Sequence, residues 1–225
     1  LGFGAGCNRG AAAATTPYLM FLNPDAAAQD GCFEALLEAA ERYPEAAAFN
    51  PHTLNGKGDV SFKRRSNLLP KAARMHGPAP ATDTRVPVLS GAAFFLARDT
   101  FDLVGGFDEN IFLYYEDDDL SLRLAQLGSL WHIPSAVVCH NDGHSTERTP
   151  STARFKAYHL ARSRVYAQIK HGVPRPRMSV ILRCILQLAS PLMLNRRKRA
   201  KYLGYLAGAF STIGDDGKSR ARSDL

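Results

Sequence analysis

Tyr18-Leu19-Met20-Phe21-Leu22-Asn23-Pro24-Asp25 is the stretch whose reading decides the fold class. Five uncharged, mostly apolar residues read as a short buried strand, and Asn-Pro-Asp reads as the turn that ends it. Beyond the turn, Asp30-Gly31 starts a helical pattern with Phe33, Leu36, Leu37 and Ala40 on one face and Glu34, Glu38 and Glu41 elsewhere. Residues 46–50 are the next strand candidate, and 51–85 read as a long, polar and basic loop. Residues 86–97 resume the apolar pattern, broken at Ser90-Gly91. A short helix at 100–104 and a longer one at 117–127 each stop at glycine, and 129–133 and 136–139 read as strands around Pro134. Upstream, residues 1–16 read as a Gly-rich turn running into an Ala-rich helix. Strands alternating with helices predict an α/β domain with a mostly parallel sheet flanked by helices.

Charge divides the chain. Residues 1–147 carry 11 Lys/Arg and 18 Asp/Glu, a balance of −7, whereas 148–214 carry 14 Lys/Arg and no acid, a balance of +14. The expected organisation is a catalytic domain over 1–150, a basic amphipathic helical extension over 151–214 and a disordered tail over 215–225. In the extension, 178–194 is apolar apart from Ser179, Arg183, Gln187 and Ser190, which share one helical stripe, and Arg196-Arg197-Lys198-Arg199 follows. Apolar faces beside lysines and arginines favour an anionic membrane surface as partner over nucleic acid. Arg183 and Gln187 in mid-segment favour lying in the interface over spanning, and plain packing on protein is the alternative. The four cysteines have no paired spacing and read as reduced residues of a cytosolic protein.

Four consecutive carboxylates, Glu116-Asp117-Asp118-Asp119, follow the aromatic-rich run Phe112-Leu113-Tyr114-Tyr115. Apolar flanks disfavour full solvation, so the run needs a cation, a helix N-terminus or a shared proton. One acid suffices for a helix cap, and four suggest a general base held ionised near a nucleophile. Asp25, just after a buried strand, lies at the sheet edge where α/β folds bind ligands, and a hard cation bridging phosphates needs such oxygens. The same turn also suits a plain cap of the next segment. His140 closes a strand and can ligate a metal there, although a lone histidine is more often structural. Asn8 and Arg9 sit where a Gly-rich turn could offer backbone N–H groups to a phosphate.

Taken in order, these segments resemble the family 2 glycosyltransferases of the GT-A fold, especially bacterial rhamnosyltransferase-like members. The segments are Leu1 to Gly10, Phe21-Leu22-Asn23-Pro24-Asp25, Leu89-Ser90-Gly91-Ala92 with Phe95-Leu96-Ala97-Arg98, Gly105-Gly106-Phe107-Asp108-Glu109, Tyr115-Glu116-Asp117-Asp118-Asp119-Leu120 with Leu122-Arg123, and His140 with Gly143 and Ser145. The resemblance implies an inverting transfer of a sugar, rhamnose among the candidates, from a nucleotide-diphosphate donor to a cell-surface polysaccharide or lipid-linked glycan. It implies that Asp25 and His140 hold Mg2+ or Mn2+, and that Asn8, Asn23, Asp25, Ser90 and Gly91 line the donor site. It implies Asp117 as the base with Glu116 orienting it or the acceptor, and Asp119 with Arg123 supporting an acceptor pocket. Asn23 departs from the first acid of the family's Asp-x-Asp motif.

The family's initial strand, with the acid that reads the nucleobase, is expected upstream of Leu1, so the domain is expected to be N-terminally incomplete. The resulting expectation is a peripheral enzyme of the cytoplasmic membrane face with no nucleic-acid partner. The rivals are a truncated, non-catalytic membrane-associated remnant and another metal-dependent phosphoryl-processing enzyme.

Overall fold

The structure is a computed structural model that describes residues 2–140, 149–188 and 191–212. The chain falls into two compact units. One comprises residues 5–108 and 116–145, and the other 1–4, 109–115 and 146–225.

Helix α1 (Phe3–Ala13) precedes strand β1 (Tyr18–Leu22), as the apolar run predicts. The Gly-rich segment is therefore helical and not a turn, and Asn8 and Arg9 lie within α1. Short β2 (Ala26–Ala28), α2 (Cys32–Arg42), β3 (Ala46–Asn55), β4 (Val60–Ser61), β5 (Thr84–Arg85), β6 (Ala93–Ala97), α3 (Arg98–Leu103), α4 (Glu116–Leu124) and β7 (Ser129–His140) complete the first unit. The two strands expected around Pro134 are one, with a register shift against β3 where Pro51/His52 face Ile133/Val137. A bulge of this kind absorbs the proline without ending the strand.

The sheet is mixed rather than mostly parallel. Its order is β1-β6-β3-β7-β2, with β4 beside β3 and β5 beside β7. Among the described residues only β3 and β7 pair in parallel. β6 runs antiparallel to both of its neighbours, β1 and β3. A parallel pair needs a crossover, commonly an α-helix, and the long segment leading into β6 contains no α-helix, only a single turn at Lys71–Ala73.

The core forms where α2 meets the sheet: Cys32, Leu36 and Ala39 pack with Phe49, Ala93, Phe95, Ile133 and Val138. Phe33 and Leu37, expected on the inner face, are exposed. Cys32, Leu36 and Ala39, spaced by four and three, are the buried face of the helix that meets the sheet. A second apolar cluster stacks Phe21 with Phe94, Phe101 and Phe107 and ties β1 and β6 to α3.

The other unit is built on α5 (Pro150–Lys170), α6 (Pro176–Leu188) and α7 (Arg196–Phe210). Thr149 caps α5 through Thr152 N–H, and Asn195 caps α7 through the N–H groups of Arg197 and Lys198. Its core is Ala161, Val165, Val180, Cys184 and Ala209. α5 and α7 approach so closely that a methyl group at Gly204 or Gly208 would collide with the carbonyl oxygen of Arg154 or Tyr158. No described helix is long and apolar enough to cross a membrane. Of the polar stripe expected over 178–194, only the Gln187 side chain is among those described, and the tail 215–225 lies outside the described residues.

Candidate active site

Helix α4 begins directly on the acid run, so its first turn is Glu116, Asp117, Asp118 and Asp119. The four unpaired N–H groups of a helix start favour negative charge there. Tyr114 and Tyr115, just before it, both take left-handed backbone angles, φ 67° and 70°. Such angles are costly for bulky residues and persist only where the surroundings impose them.

The cation that this run requires is Lys63. Its ammonium lies 2.6 Å from Asp117 Oδ2 and 2.9 Å from Asp118 Oδ2. Lys63 belongs to the segment read from sequence as a long loop, and it went unrecognised as part of the site. The signal was present as a basic triplet, Lys63-Arg64-Arg65, upstream of an acid run that called for a counter-charge.

The four carboxylates have different fates. Burial works against ionised Asp117, but Lys63 together with the N–H groups of Asp118 and Gly91 more than offsets it and holds the carboxyl below its usual range. Asp118 is pushed up by burial and by the charge of Asp117. Burial, then Asp117, raises Glu116 to about 7, and Glu116 Oε2 is buried with no hydrogen-bond partner among the described residues. Asp119 is fully buried and paired with Arg123, Oδ2 to Nε at 2.9 Å. Arg123 Nη1 also donates to the carbonyls of Val104 and Gly106 at 2.8 and 2.7 Å. Asp119 and Arg123, expected to support an acceptor pocket, face each other in the interior. They form an internal i,i+4 ion pair that holds the 104–106 turn.

Gly91 does reach the acid run, and Ser90 precedes it in the same turn. Gly91 N–H donates to Asp117 Oδ2 at 2.9 Å, and a Cβ on Gly91 would sit 3.0 Å from that oxygen, so the approach needs glycine. Buried Asn50, not singled out from sequence, sets this turn. Its amide nitrogen donates to the carbonyls of Ser90 and Ala93, and its oxygen accepts the Ser90 N–H at 2.6 Å. Asn8 lies in the middle of α1. Its side chain clasps Phe107, accepting from the N–H at 2.8 Å and donating to the carbonyl at 3.0 Å.

A second polar corner forms where β2 pairs with β7. The register places Ala26 opposite His140, which brings the preceding Asp25 to the imidazole. His140 Nε2 lies 3.0 Å from Asp25 Oδ1 and 3.2 Å from Asn23 Nδ2. One ring nitrogen cannot satisfy both in one tautomer: protonated it suits Asp25, unprotonated it suits the Asn23 amide. A divalent cation between carboxylate and imidazole would remove the conflict, so the donor set fits one. Among the described residues no three His, Cys, Asp or Glu side chains gather into a metal cage. The corner therefore fits a cation that takes its other ligands from substrate phosphates and water. The two corners are joined through the 90–92 turn, because Asn23 N–H donates to Ala92 O at 3.0 Å.

Comparison with known proteins places this arrangement. The GT-A fold of sugar-transferring enzymes is the class that the mixed α/β sheet defines. The chain resembles the crystal structure of GalNAc-T7 with UDP, GalNAc and Mn2+ at a TM-score of 0.53 and 14% identity, over 97% of this chain and 44% of that one, so it spans under half that protein's length. A mannosyltransferase from Pyrobaculum calidifontis, solved with GDP-Man and Mn2+, aligns at a TM-score of 0.48 and 13% identity, over 95% of this chain and 67% of the other. The family model of glycosyl transferase family 2 matches residues 1–102. An N-acetylglucosaminyl-diphospho-decaprenol L-rhamnosyltransferase of Mycobacterium tuberculosis, in two strains, is 34% identical over 215 residues, covering 85% of this chain and 69% of the relative. The chain belongs to glycosyl transferase family 2.

Proposed function

We propose that the protein transfers a sugar, with rhamnose the first candidate, from a nucleoside-diphosphate donor to a lipid-linked diphosphate glycan, with inversion at the anomeric carbon. The observation that carries this reading is Asp117, a carboxylate held ionised by Lys63 and Gly91 N–H and joined through the 90–92 turn to the Asp25–His140 corner. The mycobacterial relative's name supplies the acceptor class and the sugar.

In this reading Asp117 takes the proton of an acceptor hydroxyl. The acceptor oxygen bonds to the anomeric carbon as that carbon's bond to the donor phosphate breaks, and the nucleoside diphosphate leaves. Mg2+ or Mn2+ bound at Asp25 and His140 would stabilise the charge developing on the leaving diphosphate. Asn23 would orient the imidazole, and Ser90 with Gly91 would face the donor sugar. Glu116 offers a second reading as the base, favoured by its unpartnered buried oxygen and its elevated pKa of about 7, near the working range of a general base.

The helical unit supports a place at the membrane surface. Met178, Leu182, Ile185 and Leu186 are exposed on α6 at helical spacing, close in sequence to Arg196-Arg197-Lys198-Arg199. Such a face suits insertion at the level of anionic headgroups.

The test incubates the protein with Mn2+, a panel of nucleoside-diphosphate sugars that includes rhamnose donors, and a polyprenyl-diphospho-N-acetylglucosamine. Acceptor-dependent release of nucleoside diphosphate with a glycosylated product is expected. Release of phosphate without acceptor would instead mark a phosphoryl-processing enzyme, and no turnover with any donor would sink the transferase reading.

A further inference from the structure

Within the acidic first 147 residues, five of the 11 Lys/Arg lie between positions 63 and 74, and no Asp or Glu occurs from 60 to 82. The loop that carries them is built. Arg64 Nε donates to Gly77 O at 2.8 Å, and Met75 N–H donates to Arg64 O at 2.9 Å, so its two ends are pinned. Leu68 is buried beneath it, and Leu68 N–H donates to Ser66 Oγ at 3.0 Å. A single turn at Lys71–Ala73 shapes the far side. The loop encloses a concavity of about 480 Å3 lined by Arg65, Leu69, Pro70, Lys71, Arg74 and His76, among others. Among the described residues, the side chains of Arg65, Lys71 and Arg74 make no hydrogen bond or ion pair. Exposed cations with no bonded counter-charge, lining a pocket of this size, suit a small, highly charged anion.

We propose that this pocket binds the diphosphate of an isoprenoid-linked acceptor. This rests on the glycosyl-transfer reading above. The two arginines are suited to grip phosphate oxygens in pairs, and Lys71 adds a third positive charge. Leu69 and Pro70 give the same pocket an apolar wall for the first isoprene unit, which a nucleoside would not need. The pocket is tied to the acid run through the chain: Ser66 lines it, and Lys63, three residues earlier, holds Asp117 and Asp118. An acceptor held here by its diphosphate would present its sugar hydroxyl at the acid run. The donor diphosphate has a separate place at Asp25 and His140, which share no residue with the pocket.

The probe is geranyl diphosphate, titrated into the full chain by calorimetry, with geraniol and UDP plus Mn2+ as companion arms. Wild type should bind geranyl diphosphate and not geraniol. The triple variant Arg65→Gln, Lys71→Gln, Arg74→Gln should lose about 10²-fold in that affinity. Its UDP affinity should be unchanged and its circular dichroism native. In sugar transfer the triple variant should raise the acceptor KM with kcat and donor KM retained. The double variant Arg65→Lys, Arg74→Lys, which keeps the charge but not the paired grip, should bind more tightly than the triple variant and more weakly than wild type. Undiminished geranyl diphosphate affinity in the triple variant overturns the proposal, and so does a loss that falls on UDP instead. Wild type that binds geranyl diphosphate through these residues but transfers no sugar would refute the transferase reading and leave the pocket standing. Transfer with an unaltered acceptor KM in the triple variant would do the reverse.

Discussion

The two polar corners of the sheet-bearing unit solve the problem of gathered charge in opposite ways. At the start of α4, Asp117 and Asp118 share an ammonium that the chain supplies, and the result is one carboxyl held ionised beside another pushed toward protonation. At the end of β7, Asp25 meets the His140 imidazole, which also meets the Asn23 amide, and no lysine or arginine among the described residues is bonded to Asp25. One corner carries its counter-charge within the fold, and in the proposed reading the other receives it from a bound cation. This is the division expected of a base that must be ready before substrate arrives and a leaving-group site that needs charge only once a diphosphate is present.

The strongest test of that division is Asp117→Asn. Turnover should fall by about 10²–10⁴-fold, the range of a lost general base, with donor affinity by calorimetry unchanged. A variant with wild-type turnover would remove Asp117 from the chemistry. Next in size is Lys63→Gln. The side chains of Lys63 and Asp117 are 21% and 18% exposed, so breaking the pair should cost roughly 2–4 kcal/mol in chemical denaturation at pH 7, somewhat less than for a fully buried pair. Because Lys63 depresses the folded pKa of Asp117, the stability from this pair is present above the unfolded pKa and lost as pH falls through the folded one. The deficit of Lys63→Gln should therefore be full at pH 7 and shrink below about pH 4. An equal deficit at both pH values would refute the electrostatic account.

At the other corner, Asp25→Ala should raise the Mn2+ concentration for half-maximal turnover by at least about 10–100-fold, with melting temperature little changed. Chelation of the wild type should abolish turnover in the same assay. An unaltered metal requirement would break the contrast between the corners. The smallest effect is expected from Glu116→Gln. The folded pKa of Glu116 is raised from 4.5 to about 7, so the native state holds an extra proton across that window and wild-type stability falls as pH rises through it. The variant should melt higher than wild type at pH 8 and alike at pH 4, with turnover within about tenfold. A loss as deep as that of Asp117→Asn would hand the role of base to Glu116.

Which parts of this were legible in the sequence follows from the range over which each is determined. The strand at 18–22, the turn after it and the helix start on the acid run are local patterns, and the structure has them. The need of the acid run for a cation was also legible, because it is a property of four adjacent charges. The identity of that cation was not, since Lys63 lies 54 residues from Asp117 in a segment with little regular structure. Strand direction was equally out of reach: β1 and β6 pair Tyr18 with Ala97, and no local pattern encodes the direction of so distant a partner. The place of Asp119 and Arg123 was out of reach for a related reason. An i,i+4 acid–base pair looks the same in sequence whether it faces a ligand or a buried turn.

The Lys63 bridge has a further consequence for how the protein can be observed. It fastens the loop that begins at residue 62 to carboxylates whose proton occupancy differs between Asp117 and Asp118. Amide hydrogen exchange along that loop then becomes a gauge of the carboxylates' charge. Its protection rises while both acids hold the ammonium and drops when either is neutralised, a local readout of titration that needs no substrate and no turnover.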